Sequence, residues 1–347
     1  MKKLSVSIEA LRFPLVFLIV FLHTYTSTNS EIWNHGSFFR TIYPFSLWMG
    51  ETGVPAYFFI SGLLLFYSPK TYVQRIKSRV KTLLVPYIFF NGLILCGYIV
   101  LLIVGRPPFI LGKNLEDYSF IDYLRAFWDR GAWDNGNGSP VLCPFWYIRN
   151  LMMLVLISPL LYYVIRYTKL LLPIVAGLFW INAHDSAYTL QSLTMFSLGA
   201  YYPICKKDPI DLFNRFKAFF ISAFLFFAII DILHLYIDMR MLALPFHRLS
   251  LIANTYFAIG ILGEYMYRHH LYSRSLSKSA FFVFCIHYPF TLLLRPLFSC
   301  LNMYPDIVLI IAYFVSVFCV AVCSVLIYKL LSCWMPTFLN IVTGNRG

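Results

Sequence analysis

The sequence predicts an all-α fold, a polytopic transmembrane bundle of about ten helices, on three observations. Of the 347 residues, 60% are hydrophobic and 12% charged, against roughly 45–50% apolar and about 25% charged residues in a soluble domain. The mean hydropathy is +0.71. Apolar runs of about 20 residues, the helical rise that crosses a bilayer core, recur along the chain. They leave no separable soluble domain, so residues 1–347 read as one integral-membrane domain.

The first span is expected at 11–26. Met1-Lys2-Lys3 ahead of it resembles the start of a signal peptide, but no small-residue cleavage site follows and Arg12 lies near its start, so the span reads as uncleaved. The second, 43–67, contains Gly53-Val54-Pro55 and Ser61-Gly62. Small residues there permit close helix approach, and Pro55 loosens the backbone ladder. A basic loop, Arg75 to Lys81, leads into the third span at 83–104.

The segment 105–144 reads as an external loop. It carries Pro107-Pro108, a short interfacial helix with aromatic residues over Phe120 to Trp128, and a turn-rich run from Asp134 to Pro140. Loops this long are often functional, and Trp128 and Trp133 offer surfaces for sugar rings. Further spans are expected at 145–166, 169–182, 188–204, 217–237, 249–267, 280–299 and 307–330. The fifth and sixth are short enough to form a re-entrant pair.

Lys and Arg outnumber Asp and Glu by 28 to 15. The excess is spread over short connections rather than gathered in one patch, which argues for anionic lipid as the partner and against nucleic acid. Basic residues fall in every second connection: Lys2 and Lys3, Arg75 to Lys81, Arg166 and Lys169, Lys206 to Lys217, and Arg268 to Lys278. Both termini are therefore expected on the cytoplasmic side. Most of the eight cysteines lie in or beside apolar segments and read as small core residues. Cys143 and Cys300 fall near the same expected face and are candidates for pairing.

Arg12 and His23 are eleven residues apart, which at about 100° per residue is within about 20° of three whole turns, with a rise of about 16 Å. They share one helix face. An arginine inside a span costs on the order of 2.5–3.5 kcal/mol by insertion scales, so it asks for a partner or a function, the alternative being an interfacial anchor. Glu51 stands at a depth similar to His23 in the neighbouring span, where a carboxylate could fix the histidine's tautomer; otherwise it marks a later start for that helix. Asp231 and His234 are spaced i,i+3 on one face and form an alternative catalytic pair or an interfacial one. Arg149 and Arg295 are candidate contacts for a hydroxyl-rich acceptor or ion-pair partners within the bundle. His184-Asp185 occupies a short external turn. No spacing of His, Cys and acidic residues supports a metal site.

Five segments in order carry a family resemblance: Arg12-x10-His23, Phe58 to Leu64, the basic Arg75 to Lys81 with Pro86-Tyr87, Phe145 to Leu151, and Phe281 to Pro289 with His287. Over nearly its whole length the chain resembles the acyltransferase 3 family, many of whose members O-acetylate bacterial surface glycans with acetyl-CoA. The resemblance implies His23 as the base and Arg12 as a contact for acyl-CoA. It further implies Arg75, Lys77 and Arg79 as holders of the CoA phosphates, and Trp146, Tyr147, Arg149 and His287 as candidate contacts to the acceptor. Glu51 as partner of His23 is a geometric inference outside the resemblance. The family implies acetyl-CoA as donor co-substrate without a metal, a glycan or lipid-linked sugar as acceptor, and a bacterial inner membrane.

The expected chemistry is removal of a hydroxyl proton by His23 as the hydroxyl attacks a thioester, or transient acylation of His23 itself. Two rivals come from other classes. A flippase for a lipid-linked sugar would show paired halves with broken helices, and no internal repeat is visible. A non-catalytic partner in a glycan-assembly complex would not be stabilised by acyl-CoA.

Overall fold

The structure, a computed structural model, describes residues 2–28, 32, 36–105, 109–110, 113–129, 138–184, 187–237 and 240–345. Pro107-Pro108, Trp133, the turn residues Asp134 to Asn137 and Asp185 lie outside the described residues.

The chain begins with α1 (Lys2–Thr26), which continues through Pro14. It ends where the hydroxyls of Ser27 and Thr28 turn back onto the carbonyls of His23 and Tyr25, at 2.7 Å each. Next, α2 (Gly36–Tyr43) runs through a π turn (Pro44–Met49) and a 3₁₀ turn (Gly50–Thr52) into α3 (Gly53–Tyr67). The span thus begins seven residues before the expected 43. Pro44 lacks the N–H for an i→i−4 bond, and the widened turn absorbs that loss without ending the helix. Glu51 accordingly lies inside the helical run.

The basic run expected as a loop is helical. A capping box between Thr71 and Gln74 starts α4 (Tyr72–Arg79), which passes through another π turn (Val80–Leu84) into α5 (Val85–Ile103). Pro86 lies just past this π turn, which absorbs its missing donor as the first does for Pro44.

Beyond α5, β1 (Phe109–Ile110) pairs antiparallel with β2 (Lys113–Asn114), and a 3₁₀ turn precedes α6 (Phe120–Arg125). The short helix expected near Phe120 is therefore present, capped by Ser119 and Asp122. The segment expected as one span at 145–166 is two helices, α7 (Trp146–Leu156) and α8 (Ser158–Thr168). The break precedes Pro159, which bars the residue before it from continuing a helix easily.

Then come α9 (Leu171–Asn182), α10 (Tyr188–Ile204) and α11 (Pro209–Arg215), the last bent by 77° from α12 (Lys217–Leu233). Next is α13 (Arg240–Phe257), joined through a π turn (Ala258–Leu262) to α14 (Gly263–Arg268). The chain closes with α15 (Arg274–Leu293), α16 (Arg295–Leu301), α17 (Asp306–Trp334) and α18 (Pro336–Thr343).

Among the described residues, five helical runs are long and apolar enough to cross a membrane, Leu4–Thr26, Gly36–Tyr67, Tyr72–Ile103, Arg274–Leu301 and Asp306–Trp334, and seven if each bent pair is one span. The other expected spans correspond to α9, of 12 residues, α10, of 17, and the α13–α14 run, which carries Arg240, Arg248, Glu264 and Arg268. The chain is an integral multi-pass membrane protein. All eight cysteines, Cys143 and Cys300 included, are free thiols.

The described chain forms two compact units. In the first, Met1–Pro69 with Pro159–Tyr328, the closest helix crossing is between α3 and α10. A Cβ built on Gly62 would lie 2.1 Å from the Phe196 carbonyl oxygen, and one on Gly199 would lie 1.9 Å from that of Phe59. Two glycines facing each other's backbone let the helices touch, the packing that small residues provide where no water drives helices together. The core beside this crossing joins Ile8, Leu11 and Leu15 of α1 to Phe59 and Leu63 of α3 and Tyr202 of α10. Arg248 holds the end of α9, donating to the Trp180 carbonyl and, at 2.7 Å, to that of Ala183. A cation at a helix C-terminus satisfies carbonyls the helix leaves open.

In the second unit, Lys70–Ser158 with Lys329–Gly347, Leu115, Tyr118, Tyr123 and Phe127 fold back onto Leu95, Tyr98 and Leu102 of α5. Fully buried Asn91 ties this segment down: its amide donates to the Tyr87 carbonyl at 2.8 Å and accepts from the Leu142 N–H at 3.0 Å. The Tyr87 hydroxyl donates to the Phe127 carbonyl.

Candidate active site

α1 and α15 run side by side in the same direction. Ser277 Oγ donates to the Glu9 carbonyl at 2.8 Å near the start of both helices, and Ser27 Oγ donates to Thr291 Oγ1 at 3.0 Å near the end of both. Between these clamps the seam brings His23 and His287 together, with ring centres 5.2 Å apart. The Tyr288 ring lies edge-on to His23 at 5.3 Å.

His287 is fully buried, with Nδ1 3.1 Å from the Val283 carbonyl oxygen and 2.9 Å from that of Phe284. A nitrogen facing two carbonyl oxygens carries the proton, so Nε2 holds the lone pair. That Nε2 is buried and has no hydrogen-bond partner among the described residues. His23 is half-buried, and its ring likewise makes no hydrogen bond to a described residue. An unoccupied imidazole beside a buried acceptor, in an apolar seam, has the chemistry of a general base.

Arg12 occupies the same helix eleven residues earlier. Its carbonyl accepts from the Tyr57 hydroxyl at 2.5 Å, while its exposed guanidinium makes no ion pair with a described residue. It is thus a positive charge available to an anion.

Glu51 lies at the expected depth, since a Cβ on the adjacent Gly50 would meet the Leu18 carbonyl at 3.1 Å and Leu22 Cβ at 3.2 Å. Its carboxylate, however, is bonded to His247 and not to His23, which corrects the expected pairing. Glu51 Oε2 is 3.0 Å from His247 Nε2, and His247 Nδ1 is 2.8 Å from Asp231 Oδ2. The His247 ring thus bridges two carboxylates, one at each nitrogen. Buried Asp231 also accepts from Ser250 Oγ at 3.1 Å and Tyr43 Oη at 3.2 Å, a network joining α2, α12 and α13. The expected Asp231–His234 pair is looser, at 3.7 Å.

His247 was not among the sequence candidates. The span expected at 249–267 left it outside, whereas α13 begins at Arg240. Its partner Glu51 is 196 residues away, so no local spacing signals the pair.

Arg295, on α16 of the first unit, is exposed, and the other candidates belong to the second unit. Lys77 on α4 is exposed, and Arg75 and Arg79 are half-buried. On α7, Trp146, Tyr147 and Arg149 are all buried. Arg149 is engaged structurally: Nε and Nη2 each donate to Asn150 Oδ1 at 3.2 Å, and Nη1 donates to the Trp128 carbonyl. Its guanidinium also lies over the Trp128 ring, 5.2 Å from the centroid. The Trp128 indole itself is exposed. Of the expected substrate contacts, then, only His287 shares a seam with His23 within the first unit.

Residues 5–329 match a family model described as an acyltransferase domain. The succinoglycan biosynthesis protein ExoH of Rhizobium meliloti (strain 1021) is 26% identical over 369 residues, spanning 99% of this chain and 92% of that protein. No solved structure matches the chain.

Proposed function

The chain belongs to the acyltransferase 3 family, and from that membership we propose that it moves an acyl group, acetyl in the first instance, from cytoplasmic acyl-CoA to a hydroxyl of a cell-surface or lipid-linked glycan. The observation that carries this reading is the unoccupied His23 ring in the α1–α15 seam, beside a buried histidine whose free nitrogen has no described partner. The printed name of the relative concerns polysaccharide biosynthesis, which supports a carbohydrate acceptor.

In the proposed reaction, His23 takes the proton of the acceptor hydroxyl as the oxygen attacks the thioester carbonyl. Collapse of the tetrahedral adduct breaks the carbon–sulfur bond, and the imidazolium returns the proton to the departing CoA sulfur. Arg12, about 16 Å back along α1, attracts the anionic end of the donor. With both termini cytoplasmic, Arg12 faces the donor's compartment and His23 the acceptor's.

Thermal unfolding in detergent tests donor recognition, because a ligand that binds only the folded state raises Tm. Acetyl-CoA should raise the Tm of the wild type by several degrees, and Arg12→Ala should reduce that shift. A wild-type Tm unchanged by millimolar acetyl-CoA and by succinyl-CoA would rule out the donor class.

A further inference from the structure

Three features of the α1–α15 seam call for an explanation beyond the base itself. The first is the orphaned nitrogen. His287 Nδ1 is held by the carbonyls of Val283 and Phe284, so the ring cannot turn Nε2 toward a backbone partner without giving up both. A buried acceptor without a donor has lost its hydration with nothing in return. Such a group is retained where something else supplies the donor.

The second feature is spacing. The His23 and His287 ring centres are 5.2 Å apart. An N–H···N bond of about 2.9 Å, with each nitrogen about 1.1 Å from its ring centre, brings two imidazoles to nearly that separation when they meet nitrogen to nitrogen. No bond joins them in the resting arrangement, but rotation of the His23 ring about Cβ–Cγ exchanges its carbon and nitrogen positions without moving its centre far. Catalytic hydrogen bonds are often completed only when substrate is bound.

The third is the absence of a rival. The carboxylate expected to serve His23, Glu51, is bonded to His247. Nothing else among the described residues is bonded to the His23 ring.

We propose that His287 is the positioning residue for His23: its Nε2 accepts the N–H of one His23 ring nitrogen, which fixes the tautomer and leaves the other nitrogen free to take the acceptor hydroxyl's proton. The proton balance is simple. The N–H shared with His287 stays on His23 throughout. The proton from the hydroxyl arrives on the other nitrogen as the oxygen–acyl bond forms, and leaves on the CoA sulfur as the carbon–sulfur bond breaks. His287 is neither acylated nor protonated, and it acts on the reaction only through His23. This inference rests on the acyl-transfer reading above and names the residue that prepares its base.

Two substitutions separate positioning from packing. Asparagine can keep the backbone anchor: in this chain Asn91 and Asn182 each donate from Nδ2 to the carbonyl four residues earlier, at 2.8 Å. His287→Asn therefore retains the donor at the Nδ1 position and deletes the acceptor at Nε2. His287→Gln places an amide oxygen near the Nε2 position. CoA thiol release is followed for purified protein in detergent with acetyl-CoA or succinyl-CoA as donor and methyl β-glucoside as acceptor.

The expected result is wild-type yield and KM for the donor in both variants, a kcat lower by roughly 10²-fold in His287→Asn, and partial recovery in His287→Gln. A His287→Asn enzyme with wild-type kcat would overturn the inference. So would equal losses in both variants, which would indicate a packing role. Absence of acceptor-dependent thiol release from the wild type with either donor would instead overturn the acyl-transfer reading beneath it.

Discussion

Gly62→Ala perturbs the α3–α10 crossing at its tightest point. The new Cβ would stand 2.1 Å from the Phe196 carbonyl oxygen and 3.1 Å from the Ala200 nitrogen. A carbon needs about 3.3 Å from a carbonyl oxygen, so the two helices must part by about 1 Å. Both obstructing atoms are backbone, which no rotamer change relieves. Phe58, Phe59, Phe196 and Ala200 are all fully buried around the crossing. A gap of this size forfeits about a quarter to a half of each contact's ~0.1–0.2 kcal/mol. Over the several tens of contacts these side chains share across the interface, the loss comes to about 3 kcal/mol, at the upper end of what overpacking costs. Gly199→Ala, aimed at the Phe59 carbonyl from the other helix, should cost a similar amount. Gly92→Ala is the control: a Cβ there meets nothing within 4 Å, and the gain in helix propensity is up to about 1 kcal/mol. Thermal unfolding in detergent should show Tm lowered by about 5 °C or more in the first two variants and unchanged or raised in the third. A Gly62→Ala protein unfolding within 1 °C of the wild type would refute the packing argument.

Two other substitutions probe the polar networks. His247→Ala removes the imidazole bonded to fully buried Asp231, which keeps its bonds to Ser250 and Tyr43 and the looser 3.7 Å contact with His234. Breaking a buried pair this way costs about 3 kcal/mol, and adding Asp231→Asn should restore part of the lost Tm; no recovery in the double variant would show that the charge is not the cause. Arg149→Ala frees the Trp128 carbonyl and its ring. Charged hydrogen bonds contribute about 1.5–3 kcal/mol, so limited proteolysis within 118–129 should quicken at least tenfold, and an unchanged cleavage rate would show that Arg149 does not hold this segment.

Much of this was legible in the chain, and what was hidden has physical causes. The shared face of Arg12 and His23 follows from helical period alone, and α1 carries both. The short helix near Phe120 is readable from its aromatic spacing. The start of the second span was not, because Pro44 looks like a helix beginning and the π turn that absorbs it leaves no mark in a 3.6-residue count. The same device hid the continuity of α4 with α5, so that a helix carrying Arg75, Lys77 and Arg79 resembled a loop. Glu51 lies beside the α1 turn of Leu18 and Leu22 but bonds to His247: position along a span follows from residue count, whereas direction depends on which face His247 meets. The proximity of His23 and His287 across the seam likewise arises only in the tertiary fold, since the two lie on helices distant in sequence.

Proton transfer by His23 is the step on which the proposed acyl transfer from CoA depends. The most direct measurement is the rate at which labelled acetyl from acetyl-CoA reaches glycan in membranes containing wild-type or His23→Ala protein at matched yield. General-base catalysis contributes about 10²–10⁴-fold, so the variant should lose at least 10²-fold in transfer while keeping the Tm shift that acetyl-CoA gives the wild type. Transfer at the wild-type rate by inserted, normally stable His23→Ala protein would contradict that role.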